Sequence, residues 1–266
     1  MLTLKKYVRH IFCAIQETTA YRASYFINIV SQFVSYIAIF FLWRAVYATG
    51  AVIGGMDWSD MQGYLLISLF TSALISGSSE FRVSRSIWTG NIAVELVRPV
   101  DYQKANFAIT VGNGIAEGVL VAAIGLVFAV LIRFTVPPDR AVTWLYFLLA
   151  VAFSFTTKFL IVYIFGLFTF WTMGGMGLSW FRRGLTDFFS GAIIPLSFFP
   201  GWLQAVSAVL PFRGIVSVPA TIFIEKMPES QILASFAVEA AWIVGLWYFA
   251  KLVWHFAMRK VTIHGG

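Results

Sequence analysis

The sequence predicts an all-α integral membrane protein with six transmembrane helices. It is 59% hydrophobic and only 12% charged, with a mean hydropathy of +0.82; a soluble domain carries about a quarter charged residues. The apolar character runs through all 266 residues, so one membrane domain over 1–266 is expected, without a large soluble appendage. The basic residues also sort by side. With a cytoplasmic N-terminus and six alternating crossings, thirteen of the nineteen Lys and Arg fall inside and five outside, with Lys158 within the membrane. That is the positive-inside asymmetry, although Arg133 and Arg140 run against it. Both termini are expected in the cytoplasm.

The elements follow in order. Residues 2–20 put Leu4, Val8, Ile11, Phe12 and Ile15 on one helical face, with Lys5, Lys6 and Arg9 mostly elsewhere. This suits an amphipathic helix lying in the membrane interface, or a cytoplasmic helix packed on the domain. Residues 25–46 form the first span, with Arg44 placed to snorkel at its end. A glycine-rich loop at 48–60 holds Asp57 and Asp60 and no basic residue. The second span has its core at 64–79 and begins near Met61.

Residues 80–106 are the most polar internal stretch. Arg82, Arg85, Arg98 and Lys104 stand beside Glu80, Glu95 and Asp101, while Ile87, Trp88, Ile92, Val94 and Leu96 keep it amphipathic. Gly90-Asn91 punctuates it and Pro99 stops it, which gives one or two short helices on the cytoplasmic membrane surface. The third span, 107–132, holds Glu117 and a GxxxG at Gly114 and Gly118 that permits close helix packing. After a tight turn at 133–142, the fourth span, 143–172, contains Lys158. At about 45 Å it must tilt or project. Gly174, Gly175 and Gly177 loosen the chain before Arg182-Arg183. A fifth helix, 184–194, stops at Pro195. The last span, 232–256, starts from Glu229, and 261–266 is a short polar tail.

Residues 191–227 are too apolar for an aqueous loop and too broken for one spanning helix. Pro195, Pro200, Pro211 and Pro219 recur through them, and each removes a backbone donor and ends or bends a helix. Irregular backbone survives at membrane depth only where protein buries it or it lines a cavity. Two short re-entrant half-helices over 195–227, dipping in from the outer side, are expected.

Several chemistries lack their residues. No Gly-Lys pair occurs, so the chain cannot form a G-x-x-x-x-G-K-[ST] phosphate loop. His10, His255 and His264 are scattered and Cys13 is the only cysteine, so neither a metal site nor an intrachain disulfide is expected. The net charge of +7 reads as cytoplasmic loops and contact with anionic lipid rather than nucleic acid. Four ionisable residues fall inside predicted membrane segments: Glu117, Lys158, Asp187 and Glu239. Such groups face protein or water. Glu117 and Lys158 mark either a substrate or ion path or a mutual pair; Asp187 and Glu239 read as groups near the interfaces. Most of the Trp and Tyr read as an interfacial belt. Phe198, Phe199 and Trp202 stand apart because they sit on the broken segment.

Two stretches carry a family resemblance. Thr89-Gly90-Asn91-Ile92-Ala93, continuing through Glu95-Leu96-Val97-Arg98-Pro99-Val100, is one. Ile194-Pro195-Leu196-Ser197-Phe198-Phe199-Pro200, followed by Leu210-Pro211-Phe212, is the other. With the order of spans, they make the whole chain resemble the permease subunit of ABC-2 type transporters, in a bacterial branch. The resemblance implies a bacterial cytoplasmic (inner) membrane protein paired with a second permease, identical or paralogous, and with a cytoplasmic ABC ATPase dimer. ATP and Mg would bind that partner, with no cofactor and no catalytic residue in this chain. It implies a coupling helix within 82–104, so that Arg82, Arg85, Trp88, Asn91, Glu95 and Arg98 meet the ATPase. It also implies that the broken segment closes the outer end of an export path, with Phe198, Phe199 and Trp202 at the gate and Glu117 and Lys158 along the path. Substrates in this superfamily range over lipids, glycans, peptides and drugs. A different reading of the same residues is a secondary transporter that uses Glu117 and Lys158 as an ion relay.

Overall fold

The computed structural model describes residues 2–20, 22–75, 78–132, 134, 137–172 and 175–260. Arg133, Gly174 and the 261–266 tail with His264 lie outside the described residues, as do the side chains of Arg22 and Glu80. Every regular element described is helical: α1 (Leu2–Ala20), α2 (Arg22–Val46), α3 (Trp58–Ala73), α4 (Ser78–Trp88), α5 (Ile92–Leu96), α6 (Tyr102–Leu131), α7 (Ala141–Leu167), α8 (Gly175–Ser190), α9 (Gly201–Val209), α10 (Ser217–Phe223) and α11 (Glu229–Met258). Among the described residues four helical stretches are long and apolar enough to cross a membrane: Val30–Thr49, Tyr102–Leu131, Ala141–Phe170 and Glu229–Met258. The other two expected crossings correspond to α3 and α8, of 16 residues each.

Local chemistry fixes several helix ends. Asp57 and Asp60 form a reciprocal capping box at the start of α3, at 2.8 and 3.0 Å. Asp101 accepts the Lys104 N–H at 2.9 Å and starts α6. The second span ends earlier than expected, at Ala73, and the Lys158 ammonium donates to the Ser72 carbonyl in its last turn. A cation at a helix C-terminus satisfies an orphan carbonyl and the macrodipole together.

The fifth helix starts earlier than expected, at Gly175, so Arg182 and Arg183 lie inside α8 and not in an aqueous loop. Gly177 and Gly184 within it face open space and do not interrupt the ladder. Three of the four prolines begin elements rather than end them. Pro195 precedes a 3-10 turn at Leu196–Phe198, Pro200 precedes α9, and Pro211 opens the 3-10 turn Pro211–Gly214. Pro219 sits in the first turn of α10, where its missing N–H is not needed.

Close approaches hold the bundle together. The Gly114 and Gly118 pair packs against Leu74 and Phe155, so the GxxxG is used within the chain. Gly166 of α7 lies under Val83 of α4, and Thr169 donates to the Ser84 hydroxyl at 3.1 Å. Helix α1 packs along the first third of α6. Gly112 sits beneath the Ile11 backbone and Ala14, Thr18 donates to Asn113 at 3.1 Å, and the Asp101 N–H reaches the Tyr7 hydroxyl at 3.4 Å. Ala14 is buried there, while Val8 and Phe12 remain exposed. Burial and the nearby Arg98 and Arg82 guanidiniums hold the His10 imidazole below its usual pKa.

The bundle has two distinct ends. One, the loop end, carries α4, α5 and the N-terminus of α6. The far end carries the 47–57 loop, the start of α3 and the broken segment.

Candidate functional site

The broken segment is held by side chains from four helices. Each place where its backbone leaves a regular helix exposes carbonyl oxygens that a dry interior must satisfy. Tyr64 of α3 donates to the Gly191 carbonyl at 2.8 Å, and Ser68, one turn on, to that of Ala192 at 3.0 Å. The indole of Trp43 in α2 donates to Ile193 at 3.2 Å. On the other flank, Trp242 of α11 donates to Val209 at 2.9 Å and Ser154 of α7 to Ile215 at 2.6 Å. Gln204 bonds the Ser197 and Phe199 carbonyls from within the segment. Gly191 takes φ +82°, and a Cβ there would strike the Tyr64 hydroxyl. Only glycine fits that turn.

The path of the segment follows from these partners. From the far end, α9 descends to Trp242, thirteen residues along α11, or about 20 Å. Ile215 meets Ser154 at a similar depth on α7. Helix α10 then climbs back, and Glu225 meets the start of α7, with Thr143 donating to its carboxylate at 2.7 Å and the Arg140 N–H at 3.3 Å. Glu225 has φ +55°, and these bonds hold that left-handed backbone in place. The Thr143 hydroxyl, followed by the Arg140 N–H and guanidinium, keeps its carboxyl below the usual range despite partial burial. Lys226 pairs with Asp60 at 2.9 Å, which raises its ammonium pKa. Near the foot of the hairpin, Glu239 is buried against Gly214, where an added Cβ would overlap its carboxylate, and it accepts from Thr157 at 3.2 Å.

Beneath the start of the segment lies a cavity of about 420 Å³. Helix α2 contributes Ser31, Gln32, Ser35, Tyr36 and Ile39, and α3 contributes Ser68, Leu69 and Ser72, with Ile75 just beyond its end. Helix α8 adds Arg182, Arg183, Thr186 and Asp187. Phe81 of α4 and Lys158 of α7 close the loop side, and Ala192 and Ile193 roof the far side. Arg182 is only 3% exposed.

The expected site residues separate into different roles. Lys158 caps α3 and lines the cavity. Glu117 is buried on α6 and does not line it. Phe198 packs on Trp43 and over Gly54, and Phe199 stacks on Phe188 at 5.1 Å, so both brace the segment. Trp202 is 69% exposed.

At the loop end, Arg82 donates to Asn106 at 3.2 Å and pairs with Glu95 at 3.4 Å, so these two expected coupling residues bind each other and the start of α6. Arg85, Trp88, Asn91 and Arg98 are exposed, together with Val94 and Val97. Below them Tyr102 stacks on Trp254, with centroids 4.4 Å apart, and Gln103 donates to the Trp247 carbonyl at 3.3 Å, which ties the loop to α11. Sequence reading missed Ser31, Gln32, Ser35, Ser72, Arg182 and Thr186. The signal was present: 31, 32, 35, 36 and 182, 183, 186, 187 each repeat an i, i+1, i+4, i+5 stripe of one polar helix face.

No curated protein matches the chain. Over residues 33–265 the sequence matches the family described as ABC-2 family transporter protein, a stretch that takes in the capped segment, the braced loop and all of the cavity lining except Ser31 and Gln32. The chain belongs to the ABC-2 transporter family and is a membrane transport subunit of an ABC transporter, not itself catalytic, that works with an ABC ATPase.

Proposed function

We propose that the chain is the permease of an ATP-driven exporter in a bacterial cytoplasmic membrane. It moves a hydrophobic or amphipathic substrate out of the cytoplasm or inner leaflet. Two permeases and two ATPase subunits form the complex, with ATP and Mg on the ATPases. The loop end faces the cytoplasm, as do both termini. Helices α3 and α8, about 24 Å each, complete six crossings with α2, α6, α7 and α11. Helix α1 lies at the cytoplasmic interface with Val8 and Phe12 toward lipid. The α9–α10 hairpin closes the outer end of the path.

The observation that carries this reading is the bare apolar face of the loop. Trp88, Val94 and Val97 are 77%, 63% and 85% exposed at the end of the bundle that carries Arg85 and Arg98. An exposed aromatic anchor ringed by Arg has the composition of a protein-binding hot spot, and the Arg82–Glu95–Asn106 brace holds it in shape. The hairpin at the opposite end supports the export direction. Secondary transport has no comparable support, since Lys158 is engaged at the end of α3 and Glu117 is only 1% exposed.

The test is co-purification with the cognate ATPase. Trp88→Asp combined with Val97→Asp is expected to abolish ATPase capture while the permease still elutes as a folded species. Undiminished capture would remove the loop from the coupling role.

A further inference from the structure

We infer that the outer face of α1, together with the basic residues beside it at the loop end, binds the anionic phospholipids of the cytoplasmic leaflet. The inference rests on the reading above that α1 lies at the cytoplasmic interface, and it names the class of lipid that this helix selects.

Helix geometry is the first reason. Positions 7, 11, 14 and 18 face α6: the Tyr7 hydroxyl meets the Asp101 N–H, Ile11 and Ala14 lie against Gly112, and Thr18 bonds Asn113. Positions 5, 9, 12 and 16 repeat the same i, i+4, i+7, i+11 spacing two residues away, about 200° around the helix. All four are exposed, so the stripe turned away from α6 reads Lys5, Arg9, Phe12 and Gln16. Phe12 is 62% exposed, and Val8 on its apolar edge is 41% exposed. Lys6 extends the charge on the opposite edge. An apolar sector bordered by a basic one matches a surface with hydrocarbon below and negative headgroups at its rim. A zwitterionic surface would satisfy the apolar sector alone.

The charge balance is the second reason. The Tyr7 contact sets the first turns of α1 beside residues 98–104, where Arg98 and Lys104 are also exposed. Among the described residues of α1 and of 97–104, five basic side chains stand against two acidic ones, Glu17 and Asp101. Asp101 uses its carboxylate to cap the Lys104 N–H. At the seam between the two elements, burial and then the Arg98 and Arg82 guanidiniums hold the His10 imidazole below its usual pKa, so positive potential is continuous from helix to loop. Each Lys or Arg close to an anionic leaflet is worth roughly fivefold in partition.

The test uses the full-length permease alone in phosphatidylcholine nanodiscs, with a fluorophore on Cys13, the only cysteine, which is exposed one turn from Arg9. A minor share of the lipid carries a nitroxide high on its acyl chain, on phosphatidylglycerol in one set of discs and on phosphatidylcholine with the same chains in the other. Both should quench, and phosphatidylglycerol should do so with a preference of roughly fivefold or more that shrinks at high salt. Combining Lys5→Gln, Lys6→Gln and Arg9→Gln should make the two lipids equal while quenching by phosphatidylcholine persists, which reports that α1 is still seated. Combining Lys5→Arg, Lys6→Arg and Arg9→Lys should keep the preference. Equal quenching by the two lipids before any substitution would overturn the anionic assignment. An undiminished preference in the glutamine variant would overturn the role of α1. A preference that vanishes when the cognate ATPase is bound would give the face to that protein and overturn the lipid. Absence of quenching by either lipid would take α1 off the bilayer, overturning its interfacial placement and the inference with it, an outcome distinct from a failure to select charge.

Discussion

Replacing Tyr64 by Phe tests the account of the broken segment at a single atom. Tyr64 is 1% exposed, and its hydroxyl donates to the Gly191 carbonyl at 2.8 Å. The ring of Phe keeps the packing against the core, so the change removes the hydroxyl alone, with its bond to Gly191 and its side-chain contact with Ser217. The Gly191 carbonyl then loses that bond in a turn whose φ of +82° leaves it little freedom to turn elsewhere. An orphaned buried acceptor costs about 1–3 kcal/mol, and the upper half applies where no water can replace the lost partner. At roughly 2–4 °C per kcal/mol for a domain near this size, the melting temperature should fall by about 4–12 °C. The measurement is thermal unfolding of the purified permease in detergent, followed by tryptophan fluorescence. Tyr248→Phe is the control, because that residue is 66% exposed on α11 and should shift by less than about 0.5 kcal/mol. Ser68→Ala frees the next carbonyl along, so the double variant should lose less than the sum of the two, both acting on one turn. A Tyr64→Phe protein that melts with Tyr248→Phe would refute the claim that these donors hold the segment.

Three further outcomes follow from the packing and the charges. Gly112→Val puts a branched side chain against the Ile11 backbone and Ala14, so α1 should lift from α6 and be cleaved several-fold faster in limited proteolysis. Arg82→Glu should cost about 1–2 kcal/mol, by breaking the Glu95 pair and the Asn106 bond together; adding Glu95→Arg should recover part of that in the same melting assay. At the junction of the hairpin with α3 and α7 the pH dependence has two limbs. The Glu225 pKa is lowered in the folded state, so its contribution is present above the ordinary carboxylate pKa and lost as pH falls through the folded value. The Lys226 pKa is raised, so its contribution is present below the ordinary lysine pKa and lost as pH rises through the folded value. Glu225→Gln should flatten only the acid limb of melting temperature against pH, and Lys226→Met only the alkaline limb.

The order of the helices was legible because hydropathy and length alone mark long apolar spans, and α6, α7 and α11 follow the expected ranges closely. The broken segment was legible as broken because proline has a local, sequence-readable effect. What the prolines do was not: Pro200 and Pro211 start helices, which depends on where the next hydrogen-bonded turn can form. The partner at the end of α3 was hidden because Lys158, which bonds the Ser72 carbonyl, lies eighty-five residues past Ala73 in the chain. Gly175 and Gly177 suggested a loop, yet both lie in the first turn of α8. That shift moved Arg182 and Arg183 from an expected cytoplasmic turn to a cavity wall. At the loop end, Trp88 and Arg98 were read as available surface and are exposed, whereas Arg82 and Glu95 are spent on each other, a pairing that spacing does not reveal.

The donors that satisfy the broken segment also set a schedule for its making. Trp43, Tyr64, Ser68 and Ser154 are synthesised before residues 191–215, but Trp242, which bonds Val209, comes thirty-three residues later. The first turn, at Gly191 to Ile193, therefore finds its partners waiting as it leaves the ribosome, while the foot of α9 has none until the final helix is threaded. Until then the Val209 carbonyl keeps water or the lipid headgroups as its partner. The hairpin is thus the last part of the chain to settle, and truncation within α11 would leave a protein whose upstream helices are in place and whose far end stays unsealed.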